Sequence, residues 1–153
     1  MSNTELHDRV VRVISRILED AAFVFTDTLA PEDIPPAEEW AATGIALDFA
    51  GEPSGTLHVW ASNGFSCYLS ANMLGIDADS PDACSKGLDS LKELLNMIVG
   101  NFITVAYGEQ KVFHLGLPTE LTADVMKSDH ANPEAIWLEA DGNPVLFVVT
   151  VKE

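Results

Sequence analysis

The chain has 153 residues, a length that favours one domain, spanning 1–153, and its 47% hydrophobic content lies in the ordinary globular range. Its formal net charge is −16, with eight Lys plus Arg. That balance excludes nucleic acid and anionic lipid as partners, since both require clustered positive charge to displace counterions. The row Arg9, Arg12 and Arg16 reads instead as a solvated helix face with Asp8, Glu19 and Asp20 nearby. No run approaches the ~20 apolar residues of a membrane span. The first residues, Met1 to Arg9, lack the basic-then-apolar order of a signal peptide, so the cytoplasm is the expected location.

Taken in order, residues 4 to 29 are expected to form a helix capped by Thr4. Val10 or Val11, Ile14, Ile17 or Leu18, Ala21 and Phe25 keep helical spacing there. The prolines from Pro31 to Pro36 end it in an acidic loop. Thr43 to Ala50 alternates, with Ile45, Leu47 and Phe49 on one side. After the turn Gly51 to Gly55, Thr56 to Ala61 points Leu57 and Val59 inward and His58 and Trp60 to the other face. The two segments predict an antiparallel hairpin, with His58 a surface residue. Asn63 caps a short helix ending near Gly75, and Ser80 before Pro81 starts the next one.

That next helix is expected to run from about Pro81 to Tyr107, with Gly87 as an early interruption. Leu91, Leu94, Leu95, Ile98, Phe102, Val105 and Ala106 form its broad apolar face. Asp89, Glu93, Asn96, Gly100 and Thr104 line the opposite side, each three or four positions from the next, and so are neighbours on the helix surface. A lone helix Gly costs about 1 kcal/mol relative to Ala. At Gly100 the reason is close approach, either of another element of this domain or of a partner protein.

Beyond it, Lys111 to Leu117 reads as a strand and residues 119–128 fit strand, helix or loop. Asp129 to Pro133 reads as a turn. Ile136 to Ala140 and Val145 to Lys152 are strands joined by Asp141-Gly-Asn-Pro144, a hairpin signal. The second of these is nearly all apolar and is expected to be central, covered on both faces. The order predicts an α+β domain, long helices on a mainly antiparallel sheet. Cys67 and Cys84 have no CxxC spacing and read as buried apolar residues. The four His are scattered singly, so no metal site is expected.

The pattern Asp89-x-x-x-Glu93-x-x-Asn96-x-x-x-Gly100, followed by Pro118, resembles the signature of the CheC/CheX/FliY chemotaxis phosphatases. Twenty-one residues separate Asn96 from Pro118, one fewer than in the family pattern. A second Glu-x-x-Asn starting at Glu19 would need Asn at position 22, where Ala22 stands, so the likeness is to the single-site, CheX-like type. The resemblance implies hydrolysis of the aspartyl phosphate on a CheY-like response-regulator receiver domain. It makes Asn96 the residue that orients the attacking water and Glu93 the contact to the receiver's lysine. Asp89, Met97 and Gly100 would border the partner. It implies no cofactor bound by this chain, a divalent metal such as Mg in the receiver, and a homodimer. A module that binds the receiver without hydrolysing anything is the alternative.

Overall fold

A computed structural model describes residues 1–152. Among the described residues, seven strands form one antiparallel sheet with helices against it, the α+β architecture expected. Helix α1 (Asn3–Ala22) is followed by the short edge strand β1 (Thr26–Thr28). The hairpin strands are β2 (Ala42–Ala50) and β3 (Ser54–Ser62). Then come α2 (Asn63–Leu74), α3 (Pro81–Ser85) and α4 (Gly87–Tyr107). The chain returns through β4 (His114–Leu115), β5 (Thr119–Glu120) and α5 (Ala123–His130) to the second hairpin, β6 (Ile136–Ala140) and β7 (Asn143–Lys152). The sheet order is β1-β6-β7-β3-β2-β4, with β5 also on β2.

Strand alternation divides the sheet's residues between two cores. Ile45, Leu47, Phe49, Leu57, Val59, Val145 and Phe147 face the main core, shared with α1, α2 and α4. Trp60, Leu146 and Val148 face the other side, where Met126 of α5 covers them together with the half-buried Trp40 and Trp137. Gly44 and Trp60 are cross-strand partners, and a Cβ at Gly44 would lie 2.6 Å from the indole ring. The missing side chain lets that ring lie flat on the sheet. Strand β7 is buried from Val145 through Val148, as expected for a central strand. It pairs with β3 on one side and β6 on the other, so the apolar C-terminal strand is not an edge.

Several boundaries differ from the sequence expectation. Ser2, not Thr4, caps α1, in a capping box with Glu5. The helix stops at Ala22 instead of reaching residue 29. Phe23 takes the left-handed conformation (φ 56°), and the Val24 N–H turns back to the Leu18 carbonyl. Phe25, placed by periodicity on the buried face, is therefore exposed. Asn72 Nδ2 holds the Ala22 carbonyl at 2.8 Å, fixing this end of α1 to α2. The expected strand 111–117 shrinks to β4, which pairs with β2 at Phe49 and Ala50. Within it Phe113 packs on Phe49 and Tyr107, whereas Val112 and Leu117 are exposed.

The residues from Asp129 to His130 are not a turn but the last turn of α5. Asp129 is buried, and its Oδ2 accepts from Trp60 Nε1 (2.8 Å) and lies 2.8 Å from His58 Nδ1. His58 is thus no surface residue; it is half-buried and tied to α5. Cys67 and Cys84 are not buried apolar residues either: they form a disulfide between α2 and α3, with Cys84 exposed. No helix among the described residues is long and apolar enough to cross a membrane.

The disulfide closes a loop across a sequence separation of 17. A cross-link of that span restricts the unfolded chain by roughly 3 kcal/mol. Alkylation of the denatured, unreduced protein should label no cysteine, and reduction should expose two. Reduction, or Cys84→Ser, should lower the unfolding free energy by about 2–4 kcal/mol in urea titrations.

Candidate functional site

The candidate residues stand on α4, so their geometry follows from how α4 is held. Leu91, Leu94, Leu95, Ile98, Val99 and Phe102 are buried against the sheet and the flanking helices. Fully burying such a side chain contributes about 1.5–3 kcal/mol, so this face fixes the helix about its axis. Val105, expected on that face, is half exposed. Helix α1 meets this end of α4 with polar first turns, where Arg9 Nη1 donates to the Ala106 carbonyl (3.4 Å). The predicted helix 81–107 is broken at Lys86, as Gly87 suggested. Gly87 is buried against Ser66 of α2; a Cβ there would lie 3.2 Å from that residue's Cβ.

The structure brings together what the sequence placed together. Asp89 lies in the first turn of α4 and is exposed, Glu93 and Asn96 are exposed, and Met97 and Gly100 are half-buried beside them. Among the described residues, neither the Glu93 carboxylate nor the Asn96 carboxamide has a hydrogen-bond or ion-pair partner within the chain. The neighbouring positions are internally satisfied. Asn101 Nδ2 donates to the Met97 carbonyl (2.8 Å) and its Oδ1 accepts from Arg16 Nη2 (3.4 Å). Thr104 Oγ1 donates to the Gly100 carbonyl (3.0 Å).

Gly100 discriminates between the two readings of its missing side chain. A Cβ built there meets nothing within 4 Å. Among the described residues no element packs on it, which removes the intramolecular explanation.

The stripe is a convex helix surface rather than a pocket. A cleft of about 560 Å³ lies elsewhere, between α1 and β6, lined by His7, Arg12, Leu29, Ile34 and Trp137 among others. No three His, Cys, Asp or Glu among the described residues come together as metal ligands. A carboxylate and a carboxamide on a convex ridge cannot enclose a small substrate. They can enter a cavity on another macromolecule.

Comparison with known proteins gives the family. Residues 43–139 match the family model for chemotaxis phosphatase CheX, and the chain belongs to this family. No curated protein matches it significantly by sequence. Among solved structures, the chain resembles one from the CheX–CheY–BeF3–Mg complex of Borrelia burgdorferi, with TM-score 0.67, 18% identity, and coverage of 95% of this chain and 97% of that one. It resembles CheX from Desulfovibrio desulfuricans with TM-score 0.70 and 14% identity, covering 97% and 99% of the two chains. A CheC-like protein from Shewanella sp. PV-4 aligns over 100% of both chains with TM-score 0.69 and 13% identity. At such identities these likenesses establish the fold.

The interactions that sequence reasoning missed, the Asp129 contacts and the Cys67–Cys84 bond, lie outside this stripe. Nothing local in the sequence signals them, since the partners of Asp129 are 69 and 71 positions away.

Two substitutions on α4 should separate the anchoring face from the free one. Leu94→Ala should cost about 2–5 kcal/mol of unfolding free energy. Gly100→Ala should raise stability by roughly 0.5–1 kcal/mol, because helix propensity improves and the new methyl meets no atom. Urea denaturation of both variants provides the check.

Proposed function

We propose that this chain, as one CheX-like domain over 1–153, hydrolyses the aspartyl phosphate of a CheY-like receiver through Glu93 and Asn96. The observation that carries the reading is the unpartnered Glu93–Asn96 pair, exposed on a helix whose opposite face is buried from Leu91 to Phe102, with open space at Gly100. The family supports phosphatase chemistry, and the Borrelia fold relative is described as a complex with CheY.

In the proposed reaction a water oxygen attacks phosphorus in line with the bond to the aspartyl carboxylate. That bond breaks, the carboxylate leaves, and inorganic phosphate is released. The receiver brings its own divalent metal, taken to be Mg, and its own lysine, which neutralise the phosphoryl oxygens. This chain contributes position, the main form of catalysis left when charge is already neutralised. The Asn96 amide oxygen accepts from the water while its NH2 group donates towards the phosphoryl group. Glu93, one turn away on the same ridge, pairs with the receiver lysine and fixes the register. Asp89, Met97 and Gly100 border the contact, Gly100 by letting the partner's backbone approach. This chain binds no cofactor in the scheme and acts in the cytoplasm. The reading keeps the homodimer that family resemblance implies.

The test exploits the unlike jobs of the two residues. Asn96→Ala should lower phosphate release ~10²-fold, the loss typical of one misplaced positioning contact, while still binding a receiver loaded with a stable phosphoryl mimic. Glu93→Ala should weaken binding as well as turnover. Both should keep wild-type stability within about 0.5 kcal/mol, as exposed sites do. Unchanged release in Asn96→Ala would reject its catalytic role. A wild-type protein that binds the mimic and never accelerates release is a binding module instead.

A further inference from the structure

We infer that Phe23, with Phe25 beside it, is a docking anchor for the receiver, extending the proposed Glu93–Asn96 face across α1; the inference rests on that functional reading. Phe23 combines two unfavourable features. It holds a left-handed backbone (φ 56°), a conformation costly for any residue with a Cβ, and its side chain is 71% exposed. Glycine at this helix end would relieve the backbone and remove the apolar exposure. Phe25 is 70% exposed, while Val24 between them is buried. Backbone outliers held by their surroundings concentrate at functional sites.

Hydrogen bonds place the end of α1, and with it Phe23, along α4, whereas Phe25 leads to the far flank of α1, where Thr26 Oγ1 lies 2.7 Å from Ser15 Oγ. Arg9 reaches Ala106 and Arg16 reaches Asn101, so α1 and α4 run antiparallel. From Arg16, α1 advances roughly 9 Å to Ala22, and α4 followed back from Asn101 over about 7.5 Å reaches Asn96. The end of α1 therefore lies level with Asn96 and Glu93. Packed helices stand about 8–10 Å apart. A standard protein interface covers about 800 Å² per partner, a disc of roughly 16 Å radius. A receiver centred on Asn96 would therefore cover Phe23.

The chemistry of the face says why an apolar anchor is wanted. Glu19, Asp20, Asp89 and Glu93 outnumber Arg16 and Lys92 around it, and the chain's net charge is −16. A phosphorylated partner gains nothing from such a field at long range. Affinity beyond the Glu93 contact then has to come from apolar burial, and aromatic side chains are the usual hot spots. Two phenyl rings bury at most about 300–500 Å², too little for a stable interface between two copies of this chain. They suit a patch completed by the α4 ridge.

Phe23→Gly is the decisive variant, because a purely structural role predicts equal or higher stability and nothing else. We expect its Tm to hold or rise. Its KM for the phosphorylated receiver should rise about tenfold, as loss of a hot-spot side chain does, with a smaller change in kcat. Affinity for a receiver carrying BeF3⁻ and Mg²⁺ should fall by the same factor, and Phe25→Ser should act in the same direction. Unchanged KM and unchanged affinity in a working enzyme would overturn the anchor and leave the functional reading intact. So would a wild-type oligomer that Phe23→Gly dissociates with no loss of receiver affinity, which would assign the rings to a second copy. A wild-type chain that neither binds the receiver nor releases phosphate would remove both.

Discussion

The burial of one face of α4 is the constraint on which the rest depends. Leu91, Leu94, Leu95, Ile98 and Phe102 are at most 1% exposed. Rotating α4 by one residue, 100°, would drive Glu93 into apolar surroundings and lift leucines into water. Each leucine so exposed would forfeit about 1.5–3 kcal/mol. The orientation of Glu93 and Asn96 is therefore set by residues that touch neither. That separation allows the ridge to carry groups without internal partners: an unpaired Glu or Asn on a solvent face has little effect on stability, so its identity is free to serve something else.

The sheet supports this arrangement by being closed on both sides. One face carries α4 with α1 and α2; the other carries α5 and the tryptophans Trp40, Trp60 and Trp137. The second core is small, and polar contacts hold it in register. The carboxylate of Asp129 joins α5 to two positions of β3, and His130 Nε2 lies 2.7 Å from the Pro35 carbonyl. Those bonds tie the loop before β2 and the helix after β5 to the sheet. With both faces covered, β7 can be almost wholly apolar without offering a surface for association.

Much of the architecture was legible because it follows from periodicity. The α4 stripe and the β2–β3 hairpin each show a period matching the observed element, the β6–β7 hairpin is marked by its turn residues Asp141 to Pro144, and the candidate site inherits its placement from the α4 stripe. What was illegible has a common physical character. The end of α1 is set by a left-handed Phe23, whose side chain gives no turn signal, and Phe25 kept the helical period by coincidence. Asp129 reads as a turn former until a tryptophan and a histidine far away in sequence claim its carboxylate. Cys67 and Cys84 carry no spacing signature, so their pairing depends on how α3 packs on α2. Each of these is decided by tertiary contact. Gly100 is the reverse case: sequence posed the question, and the absence of any atom near it answered within the chain.

The convex form of the site constrains the proposed chemistry further. In the proposed scheme enclosure, metal and lysine would come from the receiver, because a ridge bearing Glu93 and Asn96 provides no cavity of its own. In such an arrangement the amide alone can do little for a free acyl phosphate in water, since nothing holds the phosphorus in line with the bound water. In the proposed scheme selectivity would then reside in docking rather than in recognition of the phosphoryl group. The residues that would tune it are those around the ridge, the ones sequence reasoning placed correctly on α4 and the exposed end of α1 that it did not. A change in partner preference could therefore arise at the rim while the Glu-x-x-Asn core stays as it is, which keeps the chemistry and the choice of partner on separate side chains of the same surface.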